Sequence, residues 1–177
     1  LDGLDIEGVV FIGTEPSLDP ELSALAEALH RRFASYNILM TNGVRLTDMK
    51  HIDEVIFSLK AISDGIYRDY TGRSNNKTLE NFRTVHSSGK KLQAECLLIP
   101  GFIDAVEVEN VAQFIAGVDR DIPLRIDGYF SLNGHPWPAA TTSDVGKAAK
   151  LAKKHLSKVN YLTGDMKRRG DKAIRIF

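Results

Sequence analysis

The sequence predicts an α/β fold with a parallel sheet, and three observations carry that prediction. Short apolar runs alternate with amphipathic stretches along the chain, the pattern of successive βα units. The first apolar run, over 8–13, is continuous, as in a strand covered on both faces. Later strands carry polar residues on one face only, the mark of a sheet that curls around an open interior.

The run at 8–13 leads to Asp19 and Pro20, a capping residue followed by proline at a first helical position. Leu22, Leu25, Ala26, Leu29 and Phe33 then recur at helical spacing and predict a helix over about 20–34. Further strands are predicted at 37–40, 54–59, 92–99 and 124–129. Helices are predicted at 77–87 (Leu79, Phe82, Val85), at 106–116 (Val108, Val111, Phe114, Ile115) and at 143–156 (Val145, Ala148, Ala149, Ala152, Leu156). The segment 172–177 alternates polar with apolar residues and predicts a last strand. The stretch 133–140, with Pro136, Trp137 and Pro138, is the clearest irregular loop.

Successive side chains of a strand point to opposite faces. Ser58 and Lys60 therefore oppose Val55, Phe57 and Leu59. Gln93 and Glu95 oppose Ala94, Cys96 and Leu98, and Arg125, Asp127 and Tyr129 oppose Leu124, Ile126 and Gly128. A closed eight-stranded barrel fills its interior with branched apolar side chains and takes about 250 residues. At 177 residues, with polar groups facing inward, the expected architecture is an open partial (β/α) barrel with parallel strands, a single domain over 1–177. The alternative is that these polar residues lie on an edge strand or at solvent-facing strand ends.

Lys plus Arg (23) balances Asp plus Glu (23), so net charge points to neither a nucleic-acid nor a membrane-surface partner. The clusters at Lys153, Lys154 and His155 and at Lys167, Arg168 and Arg169 read as solvated faces. No stretch approaches the roughly 18 apolar residues of a membrane span, and the first residues carry no basic region followed by an apolar run. Cys96 is the single cysteine, which excludes an internal disulfide framework. The expectation is a cytoplasmic protein.

Four segments stand at or just beyond the ends of predicted strands: Gly13-Thr14-Glu15-Pro16, Thr41-Asn42-Gly43, Ser58-Leu59-Lys60, and Thr71-Gly72-x-Ser74-Asn75-x-x-Thr78-Leu79. The last is followed by Leu98-Ile99-Pro100-Gly101-x-x-Asp104. In these segments and in this order, residues 9 to about 132 resemble the activating-enzyme branch of the radical S-adenosylmethionine proteins, the pyruvate formate-lyase activating type. The resemblance implies a binding site for S-adenosylmethionine. Gly13, Thr14, Glu15 and Pro16 would hold its amino group, Thr41 and Asn42 would lie beside it, and Lys60 would stand near its carboxylate, with Ser58, Glu95 and Asp127 completing the lining. The sequence departs from that family at Thr14 (usually Gly), Ser58 (often Asp) and Glu95 (often Arg). It also departs near Phe130, where a His is frequent; His135 lies five residues further on.

Members of that family bind a [4Fe-4S] cluster through a Cys-x3-Cys-x2-Cys loop, and cluster ligands are thiolates. Cys96 alone does not supply them, so no catalytic and no metal-ligating residue is assigned to this chain. The resemblance implies the later part of a longer enzyme, truncated at the N-terminus and inactive as it stands, and the abrupt start at Leu1 agrees. In the whole enzyme the reduced cluster would cleave S-adenosylmethionine to abstract a hydrogen, with a glycyl-radical enzyme loop or another peptide as partner. The alternative is a degenerate module that binds S-adenosylmethionine or a partner without redox chemistry. A third reading makes Lys60 a Schiff-base amine in a barrel hydrolase or aldolase.

Overall fold

The computed structural model describes residues 6–131 and 134–164. The strands are β1 (Gly8–Phe11), β2 (Tyr36–Thr41), β3 (Glu54–Ser58), β4 (Lys91–Leu98), β5 (Leu124–Gly128) and β6 (Val159–Leu162). They form one sheet in which every pairing is parallel and neighbours follow chain order. Between them run α1 (Leu22–Phe33), α2 (Asp64–Thr71), α3 (Asn76–Ser87), α4 (Ala105–Ala116) and α5 (Thr142–Ala152). Sequential strand order with right-handed crossovers stacks the connections on one face and leaves the other face concave. β1 and β6 do not pair with each other, so the sheet is an unclosed partial (β/α) barrel.

Paired residues of parallel strands point the same way, so register assigns the faces. Phe11, Leu39, Val55, Phe57, Ala94, Cys96 and Ile126 face the helices and are buried against Leu22, Phe82, Val85, Val108, Ile115 and Val145. On the concave side, Ser58, Glu95, Arg125 and Asn160 form one row across β3 to β6, and Leu97, Asp127 and Leu162 form the next. This is the polar face expected for β3, β4 and β5. On β1 to β3, however, the same face carries Val10, Ile38, Met40 and Ile56, so the interior is apolar on one side and charged on the other. The continuous run at 8–13 predicted a strand covered on both faces, but Val10 is 48% and Ile12 69% exposed. β1 is an edge strand with a helical layer on one side only.

Helix boundaries follow their caps. Asp104 accepts hydrogen bonds from the backbone of Val106 and Glu107 at the start of α4, and Thr141 with Asp144 forms a capping box on α5. The predicted start at residue 20 is two residues early: α1 begins at Leu22, and Asp19 instead accepts from the Glu21 N–H at 2.9 Å. α5 stops at Ala152 rather than at 156. Neither α2 nor β6 was anticipated, both being short, and the strand predicted over 172–177 lies outside the described residues. Within the irregular loop after β5, Trp137 stacks on Phe102 with ring centroids 5.1 Å apart, and the Ala140 N–H returns to the Tyr129 carbonyl. Among the described residues no helix is long and apolar enough to cross a membrane.

Candidate functional site

The C-terminal ends of β1, β2 and β3 and the concave side of β4 converge on a cavity of about 210 Å³. Gly13, Thr14, Glu15, Thr41, Asn42, Ser58, Lys60 and Glu95 line it, together with Ile12 and Met40. The structure therefore brings together eight of the ten residues singled out in the sequence. Pro16 is not among the lining residues; it opens the 3-10 turn that follows Glu15. Asp127 is also absent from the lining, because its carboxylate is turned to Arg125.

Glu15 organises one wall. Its Oε1 accepts from the Ser17 N–H at 3.0 Å and from the Thr41 hydroxyl at 2.6 Å, and its Oε2 accepts from the Asn42 N–H at 2.6 Å. An ionised carboxylate has about four lone-pair sites, so the chain occupies three and leaves one. Thr41 in turn accepts from the Gly43 N–H at 3.0 Å. Gly43 has φ +70°, and a Cβ there would meet Phe57 Cζ at 1.9 Å, so Asn42-Gly43 is both a turn and a wall of the site.

Lys60 supplies the cation. Its ammonium donates to Ser58 Oγ at 2.7 Å, a neutral partner, and burial pushes its pKa below the ordinary lysine range while the Glu95 charge opposes that shift. The loop carrying it is held from behind. Asn75 Nδ2 donates to the Ile62 carbonyl at 2.6 Å. The buried Glu107 accepts from the Ile62 N–H (2.6 Å), the Ser63 N–H (2.8 Å) and the Ser63 hydroxyl (2.6 Å). On the far side Arg125 grips Asp127 through Nε and Nη2, both at 2.9 Å, and also donates to Glu95.

The opposite end of the concave face is sealed by another polar group. Glu54, 3% exposed, accepts from Tyr36 Oη at 2.9 Å, from Lys91 Nζ at 2.6 Å and from Gln93. A larger, shallow depression of about 680 Å³ lies by the strand starts, between Pro123, Lys153, Lys158 and Asn160. Barrels of this kind gather ligands at the C-terminal ends of their strands, so the smaller cavity is the candidate site.

Sequence reasoning missed the supports. Asn75, Thr78 and Asn81 are buried polar residues at helical spacing beside the apolar stripe of α3, and Asn81 Nδ2 donates to the Gly43 carbonyl at 2.8 Å. A polar residue every third position next to Leu79, Phe82 and Val85 was the available signal. At the start of α3 the Asn75 side chain makes no capping bond and serves the Lys60 loop instead. His135 is exposed and packs on Trp137 with centroids 5.8 Å apart; it does not line the cavity.

Cys96 faces the helices, is 3% exposed, and burial pushes its thiol pKa up. Among the described residues no three His, Cys, Asp or Glu side chains stand where they could hold a metal ion. The donors present therefore do not fit an iron–sulfur cluster. They do fit a small zwitterion: one ammonium with a neutral partner and carboxylates on two other walls.

An unclosed, sequentially ordered parallel sheet with these strand-end loops has the fold of the partial (β/α) barrels of the radical S-adenosylmethionine class. Within that class the chain resembles the glycyl-radical enzyme activating enzymes. It is 31% identical over 166 residues to a Methanocaldococcus jannaschii protein provisionally named a glycyl-radical enzyme activating enzyme, covering 88% of this chain and 63% of that protein's length. A domain of pyruvate-formate lyase-activating enzyme from Bacteroides vulgatus superposes with a TM-score of 0.72 at 18% identity, over 87% of this chain and 98% of the domain. Streptococcus suis SuiB, solved with S-adenosylmethionine and with the precursor peptide SuiA, superposes with a TM-score of 0.70 at 13% identity, over 88% of this chain and 39% of SuiB. No protein-family model matches the chain.

Proposed function

We propose that residues 1–177 act as one unit that binds S-adenosylmethionine in the cavity at the ends of β1 to β3, as part of a glycyl-radical-activating enzyme working in the reducing cytoplasm. The observation that carries this reading is Lys60, an ammonium at a cavity wall whose hydrogen-bond partner is a neutral hydroxyl, opposite the carboxylate of Glu15. Lys60 would take the carboxylate of the methionyl group by a charge-assisted hydrogen bond, and the last lone pair of Glu15 with the backbone of Gly13 and Thr14 would take its amino group. The cavity is below the roughly 300 Å³ typical of a drug-sized ligand, which suits the amino-acid end and leaves the remainder of the ligand toward the lumen.

When bound beside a reduced cluster, S-adenosylmethionine supplies one-electron chemistry that removes a hydrogen atom from a substrate. The residues of this chain bind and orient it: Glu15 stiffens one wall, and Arg125 holds the Glu95 carboxylate beside Lys60. A glycine-bearing loop of a partner protein would reach the open concave face. Isothermal titration of the chain with S-adenosylmethionine tests the reading. Saturable binding that Lys60→Met weakens at least tenfold supports it, and no binding rejects it.

A second reading, a module that binds S-adenosylmethionine or a partner without redox chemistry, is favoured by the single thiol lying on the wrong face of the sheet. Iron and sulfide reconstitution of the gene's full product separates the two. A cluster signal in the electron paramagnetic resonance spectrum supports the enzyme, and its absence supports the module.

A further inference from the structure

The loop that carries Lys60 is short, and its flanking backbone is engaged almost group by group. The Leu59 N–H donates to the Glu95 carbonyl at 2.8 Å. Past Lys60, the Ala61 and Ile62 carbonyls accept from Asn75 Nδ2 at 3.4 and 2.6 Å, and the Ile62 and Ser63 N–H groups donate to Glu107 Oε1. Two buried side chains, Asn75 at the N-cap of α3 and Glu107 in α4, thus grip the same peptide units from opposite polarities, one as donor and one as acceptor. Asn75 is 2% and Glu107 3% exposed.

Among the described residues the partners of Glu107 are all neutral: the two backbone N–H groups, the Ser63 hydroxyl and Asn110 Nδ2 at 3.0 Å. Burying a carboxylate among neutral donors is costly unless its lone pairs are filled, and here four donors meet about four sites. Its place in the first turn of α4 adds the favourable end of the helix dipole. Ser63 shows how far the local structure bends to this contact. It is the N-cap of α2, yet its hydroxyl makes no capping bond and donates to Glu107 instead. A carboxylate that draws a capping serine away from its own helix is holding a loop that must not shift.

The geometry points to Glu107 and Asn75 as positioning residues that set where the Lys60 ammonium sits in the cavity. The inference rests on the ligand reading above for its consequence, but its structural content is independent: with either contact reversed, the loop relaxes and the ammonium moves toward solvent. Neither residue lines the cavity, so neither touches ligand.

The test reads Lys60 directly. Competitive labelling of amines with trace acetic anhydride across a pH titration, resolved by mass spectrometry, yields a titration midpoint for each lysine in the intact chain. Wild-type Lys60 is expected to label with a midpoint below the ordinary lysine value. In Asn75→Asp, which keeps the shape but turns the donor into an acceptor, and in Glu107→Gln, the Lys60 midpoint is expected to move up to the ordinary lysine value. S-adenosylmethionine affinity measured in parallel is expected to fall roughly ten- to hundredfold, the loss of one charge-assisted hydrogen bond. Ser63→Ala removes one donor and stands in if Glu107→Gln does not fold. Folded variants whose Lys60 labels with the wild-type midpoint overturn the inference. If wild type itself binds no S-adenosylmethionine, the ligand reading fails, and the labelling profile alone still decides whether these residues position Lys60.

Discussion

Glu15 and Thr41, twenty-six residues apart, share a 2.6 Å hydrogen bond that joins the loop after β1 to the end of β2. With the adjacent bond from the Asn42 N–H, it makes one rigid corner of the cavity from two chain segments that lie on either side of α1 in the sequence. Glu15→Ala leaves the Thr41 hydroxyl and two backbone N–H groups without their acceptor, so it is expected to cost about 1–3 kcal/mol in urea unfolding. Glu15→Gln places an amide N–H₂ against at least one of these donors and is expected to fall between wild type and Glu15→Ala.

Gly43 is bound to its position by both conformation and space. Gly43→Ala combines a left-handed backbone with a methyl driven into the Phe57 ring, and a loss of about 2–4 kcal/mol is expected from strain and overpacking together. Phe57→Leu in the same chain relieves the clash but not the backbone strain. Equilibrium unfolding of the double variant is therefore expected to recover part of the loss and no more than the clash accounts for.

Glu54 carries a pH signature. Burial pushes its carboxyl pKa up, but the hydrogen bonds from Lys91, Tyr36 and Gln93 outweigh burial and hold it below the ordinary range. A carboxylate lowered in the folded state contributes stability that is complete above its unfolded value, about 4.3. That contribution is lost as pH falls through the lower folded value. Glu54→Gln removes it, so the melting temperatures of wild type and variant should differ most at neutral pH and converge in acid. A gap that widens on acidification would contradict this account.

Lys60 behaves in the opposite sense. Its pKa is lowered by burial, so the unfolded chain holds the proton more tightly and stability rises with pH between the folded and unfolded values. Lys60→Met should therefore match or exceed wild-type stability at neutral pH, with the advantage shrinking as pH approaches the unfolded lysine value of about 10.4. Loss of ligand affinity alongside unchanged or greater stability is the combination expected of a binding residue.

Arg125 holds two carboxylates apart. Arg125→Met leaves Glu95 and Asp127 facing each other on neighbouring strands without their shared cation. The two charged carboxylates then repel each other, so this variant should be less stable than wild type at neutral pH. Thermal melts at neutral pH measure the effect, expected to be about 1–2 kcal/mol because the guanidinium is partly solvated.

Much of this was legible in the chain itself. Apolar periodicity located β1 to β5 and four of the five helices, because a buried stripe must repeat at the period of its element. The alternation on β3, β4 and β5 by itself separates Ser58, Glu95, Arg125 and Asp127 from the core side. α2 and β6 escaped because four to eight residues are too few for periodicity to rise above composition. The supports Asn75, Asn81 and Glu107 escaped because a polar residue in an otherwise apolar helix has no readable partner until the opposing loop is placed.

The succession of elements along the chain, the split between core face and polar face on β3 to β5, and the chemistry at each strand end are local properties, written in residue type and spacing. Tertiary structure alone decided that Glu15 closes on Thr41, that Arg125 takes Glu95 and Asp127 together, and that Glu107 reaches across from α4 to the loop behind Lys60. Apart from Arg125 with Asp127 on one strand, those contacts join residues 26 to 45 positions apart, and their distances depend on how far the sheet curls. Curl is set by the packing of all the helices against one face at once, and no short window of sequence contains it.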